Sequence, residues 1–356
     1  MSVPCLPVPC FSRRLFSGLL LLLVIFIGCK VPSAPLPSNT HWTRHTIDSR
    51  FRGADGVKLG DADGDGLIDL VVGWEESGVV VVYLNPGPGG VTANWPAVTV
   101  GQVEDVEDAV FVDLDADGLL DVVSCSEGDT KTMYVHWAPG DVAQYSSSAA
   151  WVTAELPVTR NARQWMFCEP AQIDGVGGVE LVAGAKGDNG QVGYLSAPVD
   201  PTNLAGWTWH ALADAAWIMS IEPRDIDGDG DIDIVYTDRK GAARGVYWLE
   251  NPGGANPLPA AWQLHTIGVG AAEFMFADVA DYDGDGQLEI IAATDRRQAL
   301  LYEPLAIMIL PWQQTPISWS DSYGTGKSVR FGDLDLDGMA EIVFSCENAN
   351  SRYGVG

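Results

Sequence analysis

Hydrophobic and polar positions change places over short distances through most of this chain. From about residue 42 onward, apolar segments rich in Val, Ile, Leu, Trp and Tyr are separated by clusters of Gly, Asp and Pro. Short β-branched and aromatic runs between turn formers predict strands joined by tight loops. No segment after the first thirty residues combines helical period with helical length, so an all-β fold is expected and helical repeats are excluded.

The polar clusters recur in register. DADGDGLIDLV begins at 61, DLDADGLLDVV at 113, DIDGDGDIDIV at 225, DYDGDGQLEII at 281 and DLDLDGMAEIV at 333, with a degenerate copy, QIDGVGGVELV, at 172. The period is about 54 residues, a spacing that points to propellers or solenoids. A Trp-led hexapeptide precedes each cluster (WTRHTI at 42, WPAVTV at 95, WVTAEL at 151, WTWHAL at 207, WQLHTI at 262, WQQTPI at 312). An apolar run ending in proline follows at Pro86, Pro139, Pro198, Pro252 and Pro304. Each unit therefore reads as one four-stranded antiparallel blade.

These units resemble the FG-GAP or VCBS repeats that build calcium-bearing β-propellers, as in integrin α-chain heads and many exported bacterial proteins. The resemblance covers residues 41–356 and implies a β-propeller of four-stranded antiparallel blades, with six repeats visible. After Asp333 only 23 residues remain. Either the first Trp segment, 42–47, completes a six-bladed ring, or a seven-bladed protein is truncated at the C-terminus. The second reading is preferred because such proteins often have seven blades.

In D-x-D-x-D-G-x-x-[DE] the odd-numbered carboxylates converge while Gly at position six allows a sharp turn, as in the first half of an EF-hand loop. The candidate metal ligands are Asp61, Asp63, Asp65 and Asp69; Asp113, Asp115, Asp117 and Asp121; Asp225, Asp227, Asp229 and Asp233; Asp281, Asp283, Asp285 and Glu289; and Asp333, Asp335, Asp337 and Glu341. Position twelve is Val72, Ser124, Tyr236, Ala292 or Phe344 rather than Glu, and a strand follows instead of a helix, which excludes a true EF-hand. Like charges about 4 Å apart repel by roughly 4 kcal/mol at an effective dielectric near 20, so four carboxylates in one loop need a cation. Calcium, an oxygen-seeking ion of high coordination number, suits better than magnesium, and about five ions are expected. In the degenerate loop Gln172 and Val176 replace two ligands, leaving Asp174 and Glu180, and that loop is expected to be empty.

Charge then narrows the function. The chain has 356 residues, 48 acidic and 20 basic, for a net charge of -28. Nucleic acid is excluded as a partner, because binding it requires a basic face. Arg13-Arg14, the apolar stretch Leu15–Gly28 and Cys29 have the order of an export signal. Phe26-Ile27-Gly28-Cys29 resembles a bacterial lipobox, which implies lipidation of Cys29. The organisation is then a lipoprotein signal peptide over 1–28, a Pro/Ser tether over 29–40 and the propeller over 41–356. An exported outer-membrane or cell-surface lipoprotein follows, with a periplasmic location as the alternative, held to the membrane through its lipid and otherwise monomeric. Cys125, Cys168 and Cys346 lie in or beside apolar runs and read as buried thiols.

Candidate chemistry outside the loops is sparse. His45, His210 and His265 share one position of the Trp hexapeptide and read as packing or inter-strand bonding. Three residues before each acidic loop stand Lys58, Val110, Glu169, Glu222, Asp278 and Arg330. Six before stand Asp55, Glu107, Met166, Met219, Met275 and Lys327. The odd separation requires one bulge in the inner strand. A second charged ring, Glu75, Glu127, Lys186, Arg239, Asp295 and Glu347, follows each loop. Trp165, Trp217 and Phe274 precede the inner strands as aromatic platforms for a ligand, or as packing between blades. The candidate ligand face is Lys58, Glu169, Glu222, Asp278, Arg330, Trp165, Trp217 and Phe274. A non-catalytic binding or adhesion module for a glycan or protein partner is the leading function. The alternative is a polysaccharide lyase-like enzyme working in the channel with Lys58, Arg330, Lys327 and Tyr323.

Overall fold

The computed structural model describes residues 43–356, apart from 256, 258, 306–310 and 351–352. The signal, the tether and Cys29 lie outside the described residues.

Five sheets each contain four strands in sequence order, every neighbouring pair antiparallel. The first blade is β1 (Ala54–Gly60), β2 (Asp69–Trp74), β3 (Val79–Tyr83) and β4 (Ala97–Gln102). The second is β5 (Val106–Val112), β6 (Asp121–Ser126), β7 (Met133–Trp137) and β8 (Val152–Glu155). The third is β9 (Gln164–Ala171), β10 (Glu180–Lys186), β11 (Gln191–Ser196) and β12 (Thr208–Asp214). The fourth is β13 (Ile218–Arg224), β14 (Asp233–Asp238), β15 (Gly245–Glu250) and β16 (Gln263–Val269). The fifth is β17 (Phe274–Ala280), β18 (Glu289–Thr294), β19 (Gln298–Pro304) and β20 (Trp312–Ser318). In the sixth, β21 (Thr325–Gly332) pairs with β22 (Glu341–Glu347). Gly354 and Gly356 then bond to Cys346 and Phe344 on the free edge of β22.

This is the β-propeller arrangement that the repeats predict. Inner strands β1, β5, β9, β13, β17 and β21 pack on one another in series, and apolar side chains fill the layers between successive blades. Each inner strand carries the required bulge, as between Ala54 and Val57 and between Ile218 and Ser220.

The first and last blades differ from the rest. Ala109 and Phe111 on β5 are buried by the preceding blade, whereas their equivalents on β1, Val57 and Leu59, are 52% and 67% exposed. Strands β6, β14 and β18 are buried along their whole length, while β22 is only half-buried. Strand β21 does not pack on β1 as the other consecutive inner strands pack. Residues 43–47 form no strand and do not join the sixth blade. Instead the Ile47 carbonyl accepts from the Trp95 N–H at 3.2 Å, and Ile47 and Phe51 pack on the first blade. Closure of a six-bladed ring by the first Trp segment is not seen among the described residues: Ile47 and Phe51 pack on β2 and β3 of the first blade.

Candidate functional site

Every acidic loop joins an inner strand to the next strand, so all lie at the same end of their blades. The loops share one scaffold of hydrogen bonds. Position one accepts from the glycine N–H of position six: Asp61 from Gly66 at 3.0 Å, Asp113 from Gly118 at 3.2 Å, Asp225 from Gly230 at 3.0 Å, Asp281 from Gly286 at 3.0 Å and Asp333 from Gly338 at 2.9 Å. Those glycines have φ between 85° and 97°, which L side chains rarely adopt. Position three accepts from the N–H of position five, and position five from that of position seven.

The folding of the loop thus collects carboxylates on one point. Oxygens of Asp113, Asp115 and Asp117 lie within 4.8 Å of one another, as do those of Asp225, Asp227 and Asp229, of Asp281, Asp283 and Asp285, and of Asp61, Asp63 and Asp69. One Oδ1 of Asp61 and one of Asp113 are buried with no hydrogen-bond partner. Such orphaned anionic oxygens, in a set made only of hard donors, fit a hard divalent cation.

Position nine has a second task that sequence spacing hides. Asp69, Asp121, Asp233 and Glu289 are buried, and each accepts from the N–H of position two at 2.8–3.2 Å. Glu341 does the same for Leu334 at 2.7 Å. Asp69, Asp121 and Asp233 also accept, each at 2.7 Å, from Asn85, Ala138 and Asn251 at the end of the third strand. These acids staple loop to blade, and burial pushes Asp121, Asp233 and Glu289 up to about 7.

The degenerate loop closes on itself. Gln172 Oε1 accepts from Gly175 N–H at 2.9 Å, and its Nε2 donates to the Gly178 carbonyl at 3.2 Å. Glu180 retains the position-nine staple to Ile173 at 2.9 Å.

Five of the six residues three before each loop converge, while Val110 packs in the apolar core. Lys58, Glu169, Glu222, Asp278 and Arg330, from five blades, line one cavity of about 270 Å³ together with Arg224. Lys58 crosses from the first blade to pair with Glu169 in the third. From the sixth blade, Arg330 donates to Glu222 at 2.7 Å, to Asp278 at 3.2 Å and to the Ala277 carbonyl at 2.6 Å. Burial raises Glu169 and Glu222 while Lys58 and Arg330 oppose it. The same burial works against charge on Lys58, but Asp108 and Glu169 hold its ammonium protonated.

Trp165 and Phe274 do not reach this cavity. They are 0% and 1% exposed within the core, with Trp165 edge-on to Trp209 at 5.1 Å. Trp217 is half-buried under Lys186, Lys240 and Arg239, at 4.3, 4.4 and 5.1 Å from its centroid. Of the aromatic platforms, two are inter-blade packing and the third is a seat for cations. All three stand before the bulge, which turns that part of the strand away from the cavity. Sequence spacing also missed Asp108, which is fully buried behind Lys58. Its one signal is an acid where the equivalent positions are Gly56, Phe167, Ser220, Phe276 and Ser328.

A second group of charges gathers where Glu75, Glu107 and Glu127 bring their oxygens within 4.8 Å and Lys186 pairs with Glu127. Burial, followed by Asp55, pushes Glu107 up to about 7. Three histidines are structural, while His45 is exposed. His210 bonds Ser196 at 2.9 Å and stacks on Tyr194, His265 bonds Glu250 at 2.5 Å and stacks on Trp248, and His136 is sealed between Ser124 and Thr153.

Blade geometry and acidic loops together define a β-propeller with loop-borne carboxylate clusters. The sequence matches the FG-GAP-like repeat over residues 40–124, 225–292 and 281–344, more than half of its length, and the chain belongs to that family. No curated protein matches the sequence. Among solved structures, it is similar to an Agrocybe aegerita lectin described as specifically recognising non-reducing terminal N-acetylglucosamine. The TM-score is 0.52 at 17% identity, covering 86% of this chain and 80% of the lectin. A luciferin-regenerating enzyme aligns with a TM-score of 0.49 at 11% identity over 85% of this chain and 86% of its own. The V. cholerae biofilm matrix protein Bap1 aligns with a TM-score of 0.44 at 15% identity over 81% of this chain and 42% of its own. These likenesses are of fold.

Proposed function

We propose that this protein is an exported, lipid-anchored, calcium-binding propeller that acts as a non-catalytic binding module for a glycan or protein partner. The observation that carries this reading is the convergence of Lys58, Glu169, Glu222, Asp278 and Arg330 from five blades on one cavity. Polar groups gathered in a concave site fix the orientation of a bound molecule. Calcium in the acidic loops would stiffen the turns that follow the inner strands, and so hold those residues in place. A lectin with a similar fold makes carbohydrate the first class of ligand to test.

The lyase-like alternative needs a base beside its cations. Lys58 and Arg330 are at the cavity, but Tyr323 packs on Phe344 at 5.3 Å and on Tyr353 at 5.5 Å, and Lys327 lies 4.0 Å from Glu347. Binding is therefore the better-supported reading. A glycan array in millimolar calcium, followed by titration of any hit, tests it. Arg330→Met should weaken binding at least about tenfold, the loss of one charge-assisted contact, whereas Val199→Ser on the exposed surface should not. Equal affinity in the Arg330 variant would move the ligand away from this cavity.

A further inference from the structure

One pair of reactive groups plays no part in the loops or the cavity. Cys125 lies on β6 of the second blade and Cys168 on β9 of the third, and these two strands pack against each other. Both side chains are fully buried in one apolar cluster with Val123, Leu181 and Ala183. Within that cluster the two residues are neighbours: Cys125 stands opposite Asp108 in the β5–β6 ladder, and the Asp108 carboxylate accepts from the Cys168 N–H at 3.3 Å. Cys346, by contrast, is half-buried on β22 in the sixth blade. The count of three cysteines in the propeller hides the pair, because 42 residues separate Cys125 from Cys168 and nothing in their spacing announces it.

We propose that Cys125 and Cys168 are the two halves of an inter-blade disulfide, formed as the chain folds in the presence of a disulfide oxidant such as oxidised glutathione. The Cys168 thiolate attacks one sulfur of the oxidant. A mixed disulfide forms and one thiolate leaves. Cys125, deprotonated, then attacks the Cys168 sulfur and expels the second thiolate. The two cysteine protons pass to the two leaving thiolates, so that one disulfide is made for one consumed. Because both sulfurs are sealed from solvent once blades two and three have docked, the exchange precedes docking. The bond would tie β6 to β9, the strand whose next residue, Glu169, lines the cavity. It closes a loop long enough for the unfolded chain to be strongly constrained.

The test is to refold the full chain from urea in mixed oxidised and reduced glutathione, then denature it, alkylate it and map peptides without reduction. The expected result is a linked pair of peptides carrying Cys125 and Cys168, lighter than the two free peptides by two hydrogens. Neither cysteine should take up label until dithiothreitol is added, and the urea midpoint should fall on reduction. Repeating the map in Cys346→Ser should leave the link unchanged. Alkylation of both Cys125 and Cys168 after oxidative refolding, or a dominant link from either to Cys346, would overturn the proposal. The readout involves neither calcium nor a glycan, so it stands or falls apart from the binding function.

Discussion

The loop at 172–180 and the loop at 113–121 occupy the same place in adjoining blades and share the position-nine staple, yet they solve the same problem differently. In the first, the neutral amide of Gln172 bonds to Gly175 and Gly178 and satisfies the turn from within. In the second, Asp113, Asp115 and Asp117 crowd their oxygens together, and an Asp113 oxygen is left buried without a partner. The comparison teaches that the turn itself does not require three converging carboxylates. What the acids add beyond the turn is a cluster of like charge, which a cation among them would relieve.

The largest way to break that comparison is to remove the cation everywhere at once. A site with a dissociation constant of about 0.1 mM in 1 mM calcium contributes about 1.4 kcal/mol, and five such sites about 7 kcal/mol. That rivals the stability of a whole domain, about 5–15 kcal/mol. Chelation should lower the melting temperature by many degrees in calorimetry, and calcium should restore it better than magnesium at equal concentration. An unchanged melt, on protein shown to be metal-free, would make all six loops equivalent to the loop at 172–180.

A single staple comes next. Asp121→Ala leaves the N–H groups of Leu114 and Ala138 without their acceptor, a loss of about 2–4 kcal/mol for two orphaned donors. The loss should persist in chelator, because it belongs to the blade. Asp115→Ala should instead cost stability only while calcium is present. Urea titrations of both variants with and without chelator separate the two roles, and matching losses would erase the distinction between staple and ligand.

Why the sequence revealed some of this and concealed the rest follows from which contacts are local. Blade order, loop positions and the bulge between residues six and three before each loop were legible, because short-range period and turn chemistry specify them. The convergence of Lys58, Glu169, Glu222, Asp278 and Arg330 was legible only as a shared frame position. Their pairing skips blades, from the first to the third and from the sixth to the fourth, so no local pattern encodes it. Trp165 and Phe274 looked like platforms because an aromatic at a strand start reads the same whether it faces a channel or a neighbouring blade. Position nine looked like an ordinary ligand because a staple to backbone leaves no trace in side-chain spacing.

Removing one ligand from one loop should be a smaller change. Asp227→Ala should lower the calcium content by one ion per chain and cost about 1.4 kcal/mol in millimolar calcium. Asp174→Ala, at position three of the closed loop, should leave the content unchanged and alter stability by less than about 0.5 kcal/mol. Elemental analysis of the two purified variants decides between them. A drop in calcium for Asp174→Ala would place an ion in the third loop as well.

The smallest effect concerns Glu180, the position-nine acid of the loop that has no converging carboxylates around it. Its carboxyl is pushed up from 4.5 to about 7, first by burial and then by Asp174, against the pull of the Ile173 N–H. A carboxyl whose pKa is higher in the folded protein than in the unfolded chain favours folding while protonated. That contribution is complete below about 4.5 and is lost as pH rises through about 7. Glu180→Gln keeps an oxygen for Ile173 and cannot ionise, so it should gain on the wild type as pH rises. The full shift would correspond to about 3 kcal/mol. Solvent at the loop rim reduces the expected gain to about 1 kcal/mol at pH 8, shrinking to nothing by pH 4.5. The measurement is the difference in urea midpoint between the two proteins across that range, at fixed calcium. A wild type that instead gains on the variant as pH rises through about 4.5 would mean that Glu180 is held charged, as a bound cation would hold it, and the closed loop would then belong with the other five.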